Sequence, residues 1–505
     1  MSDHPYSGAN TRRNIFAFLA GKVPTAILTA TLLGMLARHL TASEFGRYVV
    51  CMAMLEVALG FTTVGLDWVI LRYAPVYRLH STRGKLIGLI ARVAVVRVLV
   101  LMLVSVVLVV LPRFFPAGVG QLPADLVWYF VLLLVVEGSL RIVRDNALEA
   151  LSLQARLQII MITKSLLLIA ALSYMGAHDA GTARLMLIAE AAAAGICLIL
   201  SMAFMLAGLK SMGEADPVWT APTFGQMRQV ALFNYGSGIV EYLFSTSFLI
   251  LVLGRFQPPA TMAGVGFVVR LIEIIRNYLP GMLVFSLVRS RMIGSYARDR
   301  NFDELRMWAQ FLFKISLLTL LPVCGIAALY GREVLELASA HRYGEYGVLF
   351  AVLTFWLGLR LHRLILAVVF NAADMMQRWA RACALSLLVL PPLLLIGPTR
   401  LGVWFIPAAL LGGEVVLNVL ALRTMRRAGN EWNTGWNWIV RSLLALAAGI
   451  GAAALLPHAD LAWLVAGMVL LTMVYGIGAL VLTIIDRNDR QLINRSSGRT
   501  LFKGV

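Results

Sequence analysis

Fifteen charged side chains fall inside segments that are otherwise continuously apolar, and they are the residues whose chemistry needs explaining. The cations are Lys22, Arg92, Arg97, Lys164, Arg270, Arg276, Lys314, Arg360 and Arg363; the carboxylates are Glu56, Glu137, Glu190, Glu241, Glu273 and Glu414. A charge at the centre of a membrane helix costs about 2.5–3.5 kcal/mol on insertion scales, so the set would cost tens of kcal/mol in lipid. Taken singly, each has an ordinary account: a Lys or Arg near a helix end can snorkel, and a Glu can pair with a neighbouring Arg, with Lys314, Arg92 and Glu137 the best examples. Taken together, they point to a hydrated interior. Nine cations against six carboxylates leaves a surplus of three, which suits anionic cargo, because guanidinium forks match phosphate and carboxylate oxygens bidentately.

The spacing is helical. Arg270, Glu273 and Asn277 stand at i, i+3 and i+7, with Arg276 three residues after Glu273 and Pro280 a candidate kink. Arg360 and Arg363 are one turn apart, and Asn371 and Asp374 extend that face, whereas His362 points elsewhere and reads as structural. Asn234, Gly238, Glu241 and Ser245 share a face of a third segment, where a buried Glu could carry a proton or a sodium ion. The expected cargo-binding set is therefore Arg270, Arg276, Arg360, Arg363, Arg97, Lys164 and Asn277, and the expected ion-coupling set is Glu241, Glu273 and Glu190.

The elements that must carry these residues follow from composition. The chain has 505 residues, 60% hydrophobic and 14% charged, with a mean hydropathy of +0.82. Ordinary soluble domains carry about 45–50% apolar and about 25% charged residues. The expected fold is an all-α polytopic membrane protein of about fourteen helices, at 14–36, 48–65, 86–111, 126–140, 157–175, 183–209, 230–254, 264–288, 307–330, 347–370, 382–396, 402–422, 438–456 and 461–485. Runs this long and unbroken exclude β-barrel strands. With both termini cytoplasmic, 26 of the 44 Lys and Arg residues fall in inner segments, 7 in outer loops and 11 within helices, the nine above together with Arg184 and Arg441 near helix ends, as the positive-inside rule requires. The net charge of +18 thus belongs to membrane topology and not to a nucleic-acid partner.

LLGMLARHLTASEFGRYVV, ending the first helix, and LILVLGRFQPPATMAGVGFVV, ending the seventh, suggest an internal repeat. The expected organisation is a six-helix lobe at 1–209, a cytoplasmic linker at 210–229, a second six-helix lobe at 230–422, two further helices at 423–485 and a basic tail at 486–505. Repeated lobes are how many secondary transporters build alternating access. There is no GxxxxGK[ST] for an ATPase, and no HExxH, GxSxG or paired-carboxylate loop for catalysis. No metal or cofactor is expected. Cys51, Cys197, Cys324 and Cys383 are far apart and read as small buried hydrophobes.

ARHLTASEFGRYVV followed by GLDWVILRYAPVYR resembles the polysaccharide transporter family, the oligosaccharide flippases of O-unit translocase type within the multidrug/oligosaccharidyl-lipid/polysaccharide (MOP) exporter superfamily. The matching residues are Arg38, Leu40, Glu44, Phe45, Gly46, Tyr48, Gly65, Leu66, Arg72 and Tyr73, over about 40 positions. The resemblance implies flipping of an undecaprenyl-diphosphate-linked glycan across a bacterial inner membrane for surface or exopolysaccharide synthesis. It also implies a cationic central cavity, membrane lipid as a partner, and work alongside a polysaccharide polymerase and chain-length proteins. Gly46, Gly65 and Tyr48 are expected to serve packing and loop geometry. A lipid II flippase, a multidrug or organic-cation antiporter of the same superfamily and, from another class, a membrane glycosyltransferase or ligase are the alternatives.

Overall fold

The computed structural model describes residues 8–114, 125–210, 212, 219–279, 296, 301–373, 375–430, 432, 435–457, 460–486 and 489–492. Among them every regular element is a helix, as the composition demands. Among the described residues ten helices are long and apolar enough to cross a membrane, and a bent pair, Phe224–Leu243 with Thr246–Leu253, makes an eleventh if it counts as one span. The expected segments at 14–36, 126–140 and 264–288 are helical where described but do not meet that measure. By length and apolarity alone the described residues therefore supply ten or eleven of the fourteen expected spans.

The chain divides into two compact units, Met1–Phe267 with Pro398–Ile406, and Val268–Gly397 with Pro407–Val505. In the first unit run α1 (Gly8–His39), α2 (Ala42–Thr62), α3 (Leu66–His80), α4 (Arg83–Phe114), α5 (Val127–Arg141), α6 (Gln154–Ala177), α7 (Ala183–Gly208), α8 (Phe224–Leu243) and α9 (Thr246–Leu253). α10 (Pro259–Tyr278) begins in the first unit and ends in the second. The second unit holds α11 (Phe302–Ala338), α12 (Gly347–Ala372), α13 (Met376–Ser386), most of α14 (Leu390–Arg400) and α15 (Phe405–Arg427), α16 (Trp436–Ala454) and α17 (Leu461–Val481).

Three boundaries differ from the sequence expectation, each for a local reason. The segment after Gly65, expected as a loop, is α3, which places Arg72 and Tyr73 on a helix. Its separation from α2 comes from Val64 and Gly65, both left-handed at φ 45° and 72°. The span expected at 126–140 continues past Arg141 as a seven-residue π-helix, Ile142–Leu148, so that 127–150 is one helical path. The span expected at 230–254 is bent by 50° between α8 and α9, because Ser245 leaves the helical conformation and caps α9 by accepting the Phe248 N–H at 3.1 Å.

Two glycines permit backbone contact inside the first unit. A Cβ on Gly46 of α2 would stand 1.7 Å from the carbonyl oxygen of Pro259, and one on Gly65 would stand 1.9 Å from that of Ala231 in α8. In the second unit α16 and α17 pack on α11 through Leu321, Leu446, Leu464, Leu471 and Tyr475, with the Tyr330 hydroxyl donating to the Ala453 carbonyl at 3.1 Å. Tyr330 marks a kink in α11, φ −118°, where the sequence reading ended its helix.

Gly65→Ala adds both a left-handed side chain, worth about 1–2 kcal/mol, and a clash with α8. The purified variant is expected to melt several degrees below the parent in detergent; an equal midpoint would contradict the close approach.

Candidate functional site

Among the described residues a dense group of intramembrane charges lies in the first unit, around the helical path 127–150. Glu137, Arg141 and Arg144 occupy i, i+4 and i+7, and so share a stripe. Glu137 Oε2 lies 2.8 Å from Lys164 Nζ of α6, and its Oε1 lies 3.5 Å from Arg141 Nε and 3.7 Å from Arg144 Nη2. Lys164 reaches on to Glu190 of α7 at 3.4 Å, and Tyr48 of α2 donates its hydroxyl to Glu190 at 2.8 Å. Arg141 also grips Glu56 of α2 with two hydrogen bonds, of 2.9 and 2.5 Å.

The π segment lets residues two apart both turn inward, as such bulges at functional sites commonly do. Arg144 points toward Glu137 and binds Asp145 at 2.6 and 2.8 Å, while Asn146 donates to Asp67 of α3 at 2.8 Å. Asp67 takes a second donor, Arg97 of α4, whose side chain is only 2% exposed. Five carboxylates, Glu56, Asp67, Glu137, Asp145 and Glu190, thus meet four cations, Arg97, Arg141, Arg144 and Lys164. The cluster carries a formal charge of −1 instead of a cationic surplus.

Of the expected residues, the structure brings Lys164 and Glu190 into this network and places Arg97 at its edge. Glu137, for which pairing with a neighbouring Arg was one account, is its hub. Glu241 lies exposed on α8. Asp67, Arg141, Arg144, Asp145 and Asn146 were missed, because the sequence reading ended one helix at Leu140 and assigned both stretches to loops. The helical stripe from Glu137 to Arg144 was the signal available.

The second unit is organised differently. On α12, Arg360 and Arg363 straddle Glu414 of α15: Arg360 Nη1 stands 3.5 Å from Oε1, and Arg363 Nε stands 2.9 Å from Oε2 as an ion pair. Arg360 also lies over the Trp356 ring at 5.3 Å. Asn418, one turn after Glu414, donates to the carbonyls of Glu414 at 2.7 Å and Leu359 at 3.3 Å, which orients its oxygen toward His362 Nδ1 at 2.6 Å. His362 packs on Phe313 at 4.9 Å, in keeping with a structural role. Asn418 was not singled out from the sequence.

On α10 Arg270 pairs with Glu273 at 3.4 Å and Arg276 bonds Asn277 at 3.5 Å. Pro280, the rest of that expected helix and Asp374 lie outside the described residues. Buried Lys314 of α11 meets Asp486 at 3.2 Å and Asp489, both just beyond α17, and so ties the end of the two added helices to the unit. Burial favours the neutral form of both carboxyls; for Asp486 the Asp489 N–H and Lys314 outweigh it and its pKa falls, whereas Asp489 is raised. Among the described residues no three His, Cys, Asp or Glu stand close enough to hold a metal.

No family model matches the sequence, and no curated protein matches it. Solved structures do match. A lipid II flippase, MurJ in an inward closed conformation, agrees with a TM-score of 0.66 at 12% identity, over 94% of this chain and 99% of that one. An inward-facing multidrug resistance MATE family transporter of the MOP superfamily agrees with a TM-score of 0.58 at 15% identity, over 82% and 98%. A MOP superfamily transporter from Pyrococcus furiosus, whose binding pocket is described as reversed in polarity, gives 0.53 at 16% identity, over 82% and 96%. The fold is that of the MurJ and MATE transporters. These neighbours are transporters and flippases, which places the chain among membrane proteins of that fold without fixing its cargo.

Because Glu137 is shared by three cations, Glu137→Gln leaves buried positive charge uncompensated, at a cost of about 3–5 kcal/mol. A lower thermal midpoint is expected, partly restored in the Glu137→Gln/Lys164→Met double variant. Independent, additive losses would show that the two do not interact.

Proposed function

We propose that this chain is a secondary transporter that flips an undecaprenyl-diphosphate-linked oligosaccharide across the bacterial inner membrane, for surface or exopolysaccharide assembly. The observation that carries the reading is the charge on α10, α12 and the Glu414 stretch of α15. Among the described residues Arg270 pairs with Glu273, and Arg360 and Arg363 pair with Glu414, so four arginines and two glutamates lie on these helices of one unit. A diphosphate, or an acidic sugar, complements that excess. A glycan head cannot cross hydrocarbon, while its prenyl tail need not leave it, so a hydrated groove open to lipid suffices.

In this reading the lobes 1–209 and 230–422 rock about the cargo, and the helices at 423–485 are additions to that core. Both termini are cytoplasmic, and a polymerase with chain-length proteins consumes the product. Arg270, Arg276, Arg360 and Arg363 hold the anionic head with help from Asn277. Arg97 and Lys164, engaged with Asp67, Glu137 and Glu190, belong to the coupling network. Glu190, held between Lys164 and the Tyr48 hydroxyl, is the foremost ion-coupling residue, ahead of Glu273 and Glu241.

The fold supports a lipid II flippase or a multidrug exporter equally. The first is favoured by agreement with MurJ over 94% of the chain, and the second by the net negative cluster of the first unit, which suits organic cations. The arginines separate the two anionic cargoes, the proposed glycan and lipid II, from a cationic drug. Replacing Arg270 and Arg360 together by Ala is expected to abolish surface polysaccharide at unchanged protein level; normal polysaccharide would remove the cargo assignment, and lost resistance to cationic drugs would favour the exporter. Glu190→Gln is expected to abolish gradient-driven movement in proteoliposomes while exchange across the bilayer persists. Equal loss of both would make Glu190 structural.

A further inference from the structure

A cavity of about 790 Å³ lies in the first unit between α3, α4, α8 and the two residues Ala221 and Pro222. It is remote in character from the ion-pair network: its walls are apolar and its only charged groups are Lys85, Arg92 and Arg228. On α4 the lining residues Lys85, Gly88, Leu89, Arg92, Val93 and Val96 repeat at i, i+3, i+4, i+7, i+8 and i+11, a single helical stripe. On α8 Phe224, Met227, Arg228, Ala231 and Leu232 repeat the same spacing. Both helices therefore turn one continuous face to the cavity. Where Gly84 and Gly88 line it, a Cβ would find nothing within 4 Å, so the space is open and not a gap between touching side chains.

The three cations have no carboxylate partner among the described residues. That contrasts with the network nearby, where every cation meets an acid. Lys85 and Arg92 are two turns apart, about 10 Å along α4, and Arg228 faces them from the first turns of α8. A cation at the mouth of an apolar pocket attracts a phosphate more strongly than one in bulk water, because less solvent competes. Beyond Arg92, α4 continues with Val95, Leu99, Met102, Leu103 and Val106 exposed, a surface suited to acyl chains.

We propose that this cavity binds an anionic phospholipid of the surrounding bilayer, its phosphodiester on Lys85, Arg92 and Arg228 and an acyl chain along Val69, Leu89 and Val93. The lining argues for a phospholipid over a lipid-linked glycan: Tyr77 supplies its one hydroxyl, and it contains no Asn, Gln, Ser, Thr, Asp or Glu to hydrogen-bond sugars. Basic pockets between membrane helices at the cytoplasmic side are recurrent anionic-lipid sites. The inference does not depend on the cargo proposed above.

Native mass spectrometry of the full chain in detergent, titrated with dioleoyl phosphatidylglycerol or dioleoyl phosphatidylcholine, tests it. The anionic lipid is expected to bind at least about tenfold more tightly. Gly88→Leu, whose Cβ meets nothing within 4 Å, extends a side chain into the cavity, and Lys85→Gln/Arg92→Gln/Arg228→Gln removes the charge. Each is expected to bring phosphatidylglycerol down to the phosphatidylcholine level while leaving the lipid-free thermal midpoint unchanged. Equal binding of the two lipids by the parent chain, or a preference that survives both variants, overturns the proposal. So does displacement of phosphatidylglycerol by undecaprenyl diphosphate at equal concentration in the parent chain but not in Gly88→Leu, since that would make the cavity a cargo site.

Discussion

A carboxylate buried in a membrane helix is tolerable only if cations surround it, and Glu137 has three. Its contacts with Lys164, Arg141 and Arg144 bind α6 to the helical path 127–150, while Arg141 carries the connection to Glu56 on α2 and Lys164 carries it to Glu190 on α7. In hydrocarbon, apolar packing between helices has no solvent-driven component, so polar contacts of this kind do more to choose which helices are neighbours. Within the π segment Arg144 meets Glu137 and Asp145 of the same helical path, while Asn146, two residues on, reaches Asp67 of α3.

How far this was legible depended on what the sequence penalises. A charge within an apolar run is conspicuous because it is costly, and Lys164, Glu190, Arg97, Arg360, Arg363 and Glu414 were all visible on that ground. The same rule hid Arg141 and Arg144. A span defined by its apolar residues stops at the first charge, so the helix was ended at Leu140 although its i, i+4, i+7 stripe ran on. Asp67 was lost for a related reason: Leu66 to His80 mixes Asp67, Arg72 and Arg78 with apolar positions and Pro75, and a mixed pattern between two long apolar runs resembles a loop. The bend between α8 and α9 left almost no trace, since Ser245 and Thr246 are compatible with a continuous span and only the capping geometry distinguishes them.

Partners distant in sequence were less legible still. Lys314 lies 172 residues from Asp486, and no local spacing joins them. Asn418 is one turn from Glu414, but its importance lies in orienting toward His362, which requires knowing that α12 and α15 are adjacent. Conversely, Gly46 and Gly65, taken from the sequence as packing and turn residues, stand where the backbone of another element passes too close for any side chain.

The net excess of three cations conceals an unequal distribution. The first-unit cluster is nearly neutral at −1, densely cross-linked, and built from short contacts that would resist insertion of a large anion between them. On α12, Arg363 and Arg360 share Glu414 at 2.9 and 3.5 Å. The charges are therefore distributed in two ways among the described residues: a dense, nearly neutral network in the first unit, and two arginines around one glutamate in the second.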